Sequence, residues 1–241
     1  MAKIGIIGAM EEEVSILIEK MKASGTVEDF YAGELVFYKG IINSTEVIVV
    51  KSGIGKVNAA LCAQRLILQF GATHIINTGI AGALGGNLKI FDMVVSTDAV
   101  YHDMDAVLFG YKPTQIPGMK VSEFKADENL IQMAKLAFEK TNSVDGRKIL
   151  AGRVATGDQF IADKEKKEHI KKICSPLCVE MEGAAVAHAC FLNKIPYIIL
   201  RCISDMADES VETTYSFNEA VAAQESAKVV LQILSEFSTC L

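Results

Sequence analysis

The stretch from residue 178 to residue 208 constrains the fold more than any other part of the chain. It has the pattern of a short apolar strand ending at Glu180, a helix of small residues, and a second apolar strand that starts at Tyr197 and stops at Ser204-Asp205. Within this pattern, segments otherwise too apolar to lie at the surface carry the charged residues Glu180, Glu182, Arg201 and Asp205. Because an unpaired buried charge costs several kcal/mol, we expect these side chains to pair with one another or to face a cleft. In open α/β sheets ligands bind outside the carboxyl ends of strands, which is where both glutamates and the aspartate fall.

Strand and helix patterns alternate along the rest of the chain. Short apolar runs such as Lys3–Ile7 and Met93–Tyr101 have strand character, and Asn43-Ser44 is a good turn between two antiparallel strands. The chain has 241 residues, 50% of them hydrophobic, which is enough to bury one large core. Without a linker, an internal repeat or a low-complexity tract, the pattern predicts one α/β domain over residues 1–241, with a central mixed sheet flanked by helices.

Charge and composition exclude several classes of function. The formal net charge is −6, whereas nucleic-acid binding needs concentrated Lys and Arg. The main basic run, Lys164 to Lys172, is interleaved with glutamates and is interpreted as a solvated helix face. No stretch reaches the length of a membrane span, and the N-terminus lacks the apolar segment of a signal peptide, so a cytoplasmic protein is expected. The six cysteines form no CxxC or metal-type cluster, so structural thiols are expected, without a metal or cofactor.

Two glycine-rich segments resemble phosphate-binding loops but lack the required residues. The segment Ser52–Val57 is not a Walker A loop, since Val50 and Val57 stand where that motif needs Gly and Ser or Thr. The other, Gly5–Gly8, is not GxGxxG and precedes Glu11–Glu13, whose carboxylates would repel a pyrophosphate. Binding of NAD or of a nucleoside triphosphate is therefore not expected.

Five separated motifs, in order along the chain, resemble one known family. They are Gly5-Ile-Ile-Gly-Ala-Met-Glu-Glu-Glu13, Lys51-Ser-Gly-Ile-Gly-Lys56, Asn77-Thr-Gly-Ile-Ala-Gly82, Val179-Glu-Met-Glu-Gly183 and Arg201-Cys-Ile-Ser-Asp205. The chain resembles the bacterial 5′-methylthioadenosine/S-adenosylhomocysteine nucleosidases of the purine nucleoside phosphorylase/hydrolase superfamily. This resemblance implies a three-layer α/β/α fold, a homodimer, a place in methionine salvage, and N-glycosidic hydrolysis that releases adenine.

The resemblance also implies roles for the charged residues. Asp205 is similar to the family's general acid at purine N7, and Glu13 to the carboxylate that activates the attacking water. Glu182, with Met181 packed on the sugar, is expected to bind the ribose hydroxyls. Arg201 resembles the charge partner that orders these carboxylates and is expected to pair with Glu182.

Further positions follow from the same resemblance as substrate contacts. Phe160 is expected to stack on adenine, and the backbone of Ile161 to read its hydrogen-bonding edge. The alkylthio pocket is expected to be lined by Met10, Ile54, Phe217 and, from the facing subunit, Phe109 and Pro117. Contacts are also expected from Ile80, Ser204 and Glu180.

The chemistry of the residues is compatible with these roles. Departure of adenine passes through an oxocarbenium-like state, which calls for an acid on the leaving group and a base on the water. Burial would help Asp205 to keep its proton, whereas Glu13 and Glu182, near helix starts, are expected to stay charged. Three of the carboxylates also have a purely structural interpretation: Glu13 as an N-terminal helix acid, Asp205 as the cap of a turn, and Glu180 as a strand-end carboxylate.

Several alternatives stay open at this level. A purine nucleoside phosphorylase would need a cationic phosphate site, and the chain has only four arginines, so hydrolysis is favoured. Ile80 replaces the small hydroxyl residue common in the family, which removes one possible hydrogen bond to ribose or water. The loop from His102 to Phe124 is either packed on its own core or an interface segment, and its aromatic and Met residues favour the interface. A non-catalytic nucleoside sensor is the remaining alternative, and the preference among methylthioadenosine, S-adenosylhomocysteine, 5′-deoxyadenosine and futalosine-type substrates is open.

Overall fold

The computed structural model describes residues 2–141, 146–207 and 215–239, with side chains from 218 to 237 in the last segment. Its strands are β1 Lys3–Gly8, β2 Glu28–Ala32, β3 Leu35–Ile42, β4 Thr45–Lys51, β5 His74–Ala83, β6 Met93–Tyr101, β7 Phe124–Lys125, β8 Ile149–Thr156, β9 Cys178–Glu180 and β10 Tyr197–Asp205. Its α-helices are α1 Glu11–Ser24, α2 Lys56–Leu68, α3 Glu128–Thr141, α4 Lys164–Cys174, α5 Gly183–Asn193 and α6 Tyr215–Thr239. A short 3-10 helix covers Val107–Phe109.

The strands form one mixed sheet, part of which closes on itself. From β5 the order runs β1-β4-β3-β2 to an open edge. In the other direction β5 pairs with β9, β9 with β8, β8 with β6, and β6 with β10, while β10 also pairs in parallel with β5. Strands β5, β10, β6, β8 and β9 therefore form a closed ring, in which each strand pairs with two others of the five over at least part of its length.

Helices cover both faces of this sheet. One face carries α1, α3 and α6, whose buried side chains share a cluster that includes Val14, Leu130 and Val230. The other face carries α2 and α5, packed through small residues such as Ala59 and Ala185. The prediction of an α/β fold with a central mixed sheet flanked by helices is confirmed. Within the described residues no helix is both long and apolar enough to cross a membrane.

Local sequence accounts for the elements that border the pocket. Met10 has an extended backbone before α1, and Glu13 reaches back to accept a hydrogen bond from its N–H, as the third residue of a capping box does. Asn43 and Ser44 both have positive φ, 48° and 65°, as the predicted hairpin turn requires. Strand β5 continues through the glycine-rich segment after Thr78 to Ala83, because β10 and then β9 pair with its second half.

The loop from His102 to Phe124 is packed in one part and exposed in another. Ile116 and Met119 are partly buried against the main core. The 3-10 helix instead points outward, with Leu108 98% and Phe109 84% exposed. The loop is therefore anchored by its ends and presents an apolar tip.

Candidate active site

One pocket gathers most of the predicted site residues at the carboxyl ends of β1, β5, β9 and β10. Its lining includes Met10, Glu13, Ile54, Ile80, Phe160, Glu180, Met181, Glu182, Ser204 and Asp205. An adjoining cavity is lined by Ile161 together with Phe160 and Asp205. The sheet thus brings together residues from the first and the last strand, as expected for ligand sites at strand ends.

Glu13 enters the pocket from the first turn of α1. It is fully buried, and its carboxylate accepts hydrogen bonds from three backbone N–H groups: Oε2 from Ala9 at 2.6 Å and Met10 at 3.1 Å, and Oε1 from Ile80 at 3.1 Å. Burial raises the pKa of Glu13, against the opposing effects of Arg201 and of the three backbone donors. A carboxylate with a raised pKa is a better base near neutral pH.

Gly79 makes room for this carboxylate. A Cβ atom on Gly79 would lie 2.3 Å from Glu13 Oε1 and 2.9 Å from its Cδ. Such distances lie well inside van der Waals contact, so only glycine fits while Glu13 keeps its place.

A buried ion pair lies beneath the pocket. Arg201 Nη2 donates to Glu180 Oε2 at 2.5 Å and to Asn77 Oδ1 at 2.6 Å, and its Nη1 donates to the Asn77 carbonyl at 3.2 Å. Although burial favours the neutral guanidinium, the carboxylates of Glu180, Glu13 and Glu182 raise the pKa of Arg201. Arg201 therefore stays charged and stabilises the anionic state of the carboxylates around it.

Glu180 is committed to the framework by hydrogen bonds of its own. Its Oε1 accepts from the Thr156 hydroxyl, and its Oε2 accepts from the backbone N–H groups of Glu182 at 3.1 Å and Gly183 at 2.7 Å. The predicted pairing of Arg201 with Glu182 is wrong, since Arg201 pairs with Glu180. The structural interpretation of Glu180 accounts for these contacts.

Glu182 occupies the residue before α5 and faces the pocket. Its Oε1 accepts a hydrogen bond from the Gly55 N–H at 2.7 Å, while its Oε2 has no hydrogen-bond partner among the described residues. Burial, reinforced by the nearby Glu180 carboxylate, raises the pKa of Glu182 to about 8. The expectation that helix starts keep Glu13 and Glu182 charged is not supported, because the desolvation of both carboxyls outweighs their backbone hydrogen bonds.

Asp205 ends β10 and is 9% exposed. Its Oδ1 accepts from the Ala207 N–H at 2.8 Å and its Oδ2 from the Ser204 hydroxyl at 2.9 Å. Ala207 has a left-handed backbone, with φ of 49°, and its side chain is fully buried. The turn after β10 thus binds Oδ1 of Asp205 through the Ala207 N–H, as the turn-capping interpretation of this residue predicts.

Phe160 lies on a loop that an ion-pair network fastens. It is 53% exposed at the pocket mouth. Two residues before Phe160, Asp158 Oδ1 accepts a hydrogen bond from the Lys56 N–H at 2.9 Å. Lys56 Nζ pairs with Asp103 at 2.6 Å and with Asp158 at 3.6 Å. Lys56 therefore links the loops that carry Ile54, His102 and Phe160.

Two predicted contacts do not line this chain's pocket, and a third lies outside the described side chains. Phe109 and Pro117 do not line it, as expected if they act only on a facing subunit. The backbone of Phe217 belongs to α6, but its side chain lies outside the described residues. The sequence analysis missed Asn77 and Thr156, although a buried Asn in the apolar strand β5 is a signal that a charged partner is near.

Comparisons with known proteins agree with this geometry. A family model described as the phosphorylase superfamily matches residues 3–235. The 5′-methylthioadenosine/S-adenosylhomocysteine nucleosidase of Staphylococcus carnosus is 41% identical over 232 residues, which make up 96% of this chain and 98% of that protein. The crystal structure of the nucleosidase of the same name from Colwellia psychrerythraea, in complex with adenine, has a TM-score of 0.91 at 36% identity and covers 98% of this chain and 95% of its own. The futalosine hydrolase of Helicobacter pylori has a TM-score of 0.90 at 35% identity, with 98% of each chain covered.

Proposed function

Because this chain belongs to the phosphorylase superfamily and, within it, to the 5′-methylthioadenosine/S-adenosylhomocysteine nucleosidases, we propose that it hydrolyses the N-glycosidic bond of these two nucleosides. The products are adenine and the corresponding 5-thioribose. The observation that carries the proposal is the convergence of Glu13, Glu182 and Asp205 on one pocket at the ends of β1, β9 and β10.

We assign the acid to Asp205 and the base to Glu13. Asp205 donates a proton to purine N7, so that adenine leaves as a neutral molecule and the sugar is left with oxocarbenium character. Water adds to the anomeric carbon and gives its proton to Glu13, whose raised pKa suits it to accept one. Both carboxyls are buried, which strengthens their electrostatic effect on the cationic sugar.

The neighbouring residues are assigned to binding. Glu182 Oε2, which has no protein partner in the described residues, accepts from the ribose hydroxyls, and Met181 packs on the sugar. Phe160 stacks on adenine, and Ile161 presents its backbone to the base edge. Ile80 contributes its backbone N–H to Glu13 and an apolar side chain to the pocket, so no hydroxyl at this position holds the water.

Hydrolysis is favoured over phosphorolysis by the lining of the pocket. Among the described residues that line it, none is Lys, Arg or His, whereas Glu13, Glu180, Glu182 and Asp205 are acidic. Arg201 lies below the lining and is bound to Glu180. A phosphate dianion would meet carboxylates without a cationic partner, which costs free energy that water does not.

Adenine release in phosphate-free buffer tests this proposal. We expect turnover of methylthioadenosine and S-adenosylhomocysteine without phosphate, whereas strict dependence on phosphate would make the protein a phosphorylase. Asp205→Asn should lose about 100-fold or more in kcat, since general acids contribute 10²- to 10⁴-fold. Asp29→Asn, the same change on the exposed edge strand β2, is the matched control. Nucleoside binding without adenine release would instead favour the sensor.

We also propose a homodimer in which the loop 102–124 reaches the neighbouring active site. The support is the apolar tip of the 3-10 helix, where Leu108 and Phe109 are almost fully exposed. Large apolar side chains of this kind are characteristic of interface cores. Leu108→Asp should shift the protein from dimer to monomer in sedimentation equilibrium and raise the KM for methylthioadenosine. A monomeric wild-type protein with full activity would refute this assembly. A cytoplasmic location stays a prediction.

A further inference from the structure

The charged helix α4 turns one lysine toward the candidate active site. Its sequence, Lys-Glu-Lys-Lys-Glu-His-Ile-Lys-Lys-Ile-Cys, predicts a solvated face, and Lys164, Glu165, Lys166, Glu168 and His169 are exposed. Lys167 differs from these neighbours, because it is half-buried and its Nζ donates a hydrogen bond to the carbonyl oxygen of Met206.

This carbonyl belongs to the peptide group that holds the proposed general acid. The same peptide group joins Met206 to Ala207, and the Ala207 N–H donates to Asp205 Oδ1 at 2.8 Å. An unbroken series of hydrogen bonds therefore runs from the ammonium of Lys167 through one amide to the carboxyl of Asp205. Hydrogen bonds arranged in series through an amide polarise and strengthen one another.

The turn that this series fixes needs external support. Ala207 has a left-handed backbone that residues other than glycine rarely adopt, and such a conformation persists only where its surroundings impose it. Two contacts of α4 impose it here. Ile170 and Cys174 pack in one apolar cluster with Ala207 and Ile161, and Lys167 binds the adjacent carbonyl.

We propose that Lys167 is a positioning residue for the reaction: its ammonium fixes the Met206–Ala207 peptide group and thereby the orientation of Asp205. The inference rests on the proposed function, since it supposes that Asp205 protonates the leaving group. It assigns to α4, which supplies no side chain to the pocket, a direct effect on the chemical step.

Lys167→Met tests the inference, because methionine keeps an apolar stem of similar length and removes the donor. We expect kcat for methylthioadenosine to fall about tenfold with KM nearly unchanged, since misorientation of a catalytic group acts on the transition state. Lys167→Arg, which keeps a charged donor, should restore most of the loss. Lys166→Met removes an exposed lysine from the same helix turn and should match the wild type.

A double-mutant cycle shows whether the effect passes through Asp205. In an Asp205→Asn background there is no acid to position, so Lys167→Met should cause no further loss of kcat. An equal loss in both backgrounds, or a Lys167→Met variant as active as Lys166→Met, overturns the inference. If Lys167→Met does not fold, Lys167→Gln, whose amide ends one bond short of the ammonium position, must lose kcat while Lys167→Arg keeps it. A wild-type protein that releases no adenine would refute the proposed function itself, before any variant is compared.

Discussion

Gly79→Ala tests whether the reaction depends on the exact position of the Glu13 carboxylate, the proposed base. The added Cβ would lie 2.3 Å from Glu13 Oε1, whereas ordinary van der Waals contact begins at 3.4 Å, so the oxygen must move by about 1 Å. That displacement breaks or lengthens the hydrogen bond from the Ile80 N–H, which is already 3.1 Å long. Because misplacement of a catalytic group by about 1 Å can cost 10²-fold, we expect kcat/KM to fall about 100-fold.

The matched control is Gly25→Ala. Gly25 has φ of 154°, close to the 159° of Gly79, but a Cβ there would meet no atom within 4 Å. Both variants therefore place an alanine at a similar φ, and only Gly79→Ala displaces Glu13. Initial rates of adenine release would be compared at equal concentrations of folded protein, checked by thermal melting. Activity of Gly79→Ala within about threefold of Gly25→Ala would refute the claim that the position of Glu13 limits the reaction.

Three further predictions concern the carboxylate cluster and its supports. The pKa of Glu182 is about 8 in the folded state, whereas its ordinary value is 4.5. Between these pH values the folded protein keeps a proton that the unfolded chain has lost, so the stability of the protein falls as the pH rises. Glu182→Gln should remove up to about 1.4 kcal/mol per pH unit of that fall in urea titrations between pH 5 and 8, and parallel stability curves for the wild type and the variant would contradict this prediction. Arg201→Met leaves the Glu180 carboxylate buried without its cation and should cost about 3–5 kcal/mol in free energy of unfolding, so a loss below about 1 kcal/mol would show that the pair is dispensable. Lys56→Met releases the loop that carries Phe160 and should raise KM more than it lowers kcat. Lys51→Met, which breaks only an exposed ion pair, is the control and should change neither parameter in this way. Equal effects of Lys56→Met on KM and kcat would argue against a role of this loop in substrate binding.

The sequence predicted the layers of the fold and most of the pocket because both depend on local patterns. Apolar runs bounded by turn residues predicted the strands, and strand ends predicted where the carboxylates of Glu182 and Asp205 lie. The family resemblance, and not the local pattern, added Glu13. What local pattern could not supply was pairing between distant strands. The second half of β5 looks like a glycine-rich loop in sequence, and it is a strand only because β9 and β10 pair with it.

The partners of the charged residues were also beyond the sequence. Glu180 and Glu182 are two positions apart, and nothing local shows that the first faces Arg201 while the second faces the pocket. Likewise, the charge pattern of α4 gives Lys167 the same expected exposure as Lys166. The orientation of α4, whose Ile170 packs in the same apolar cluster as Ala207, decides which lysine points inward.

The closed ring of strands has a consequence for how the protein is made. β10 is synthesised last among the described strands, yet it pairs with both β5 and β6 and carries Arg201 and Asp205. Until it emerges from the ribosome, those two earlier strands each have an unpaired edge that can pair with another chain. A nascent chain or a premature termination product that stops before β10 is therefore both catalytically silent and prone to aggregate, and activity requires that synthesis has passed β10.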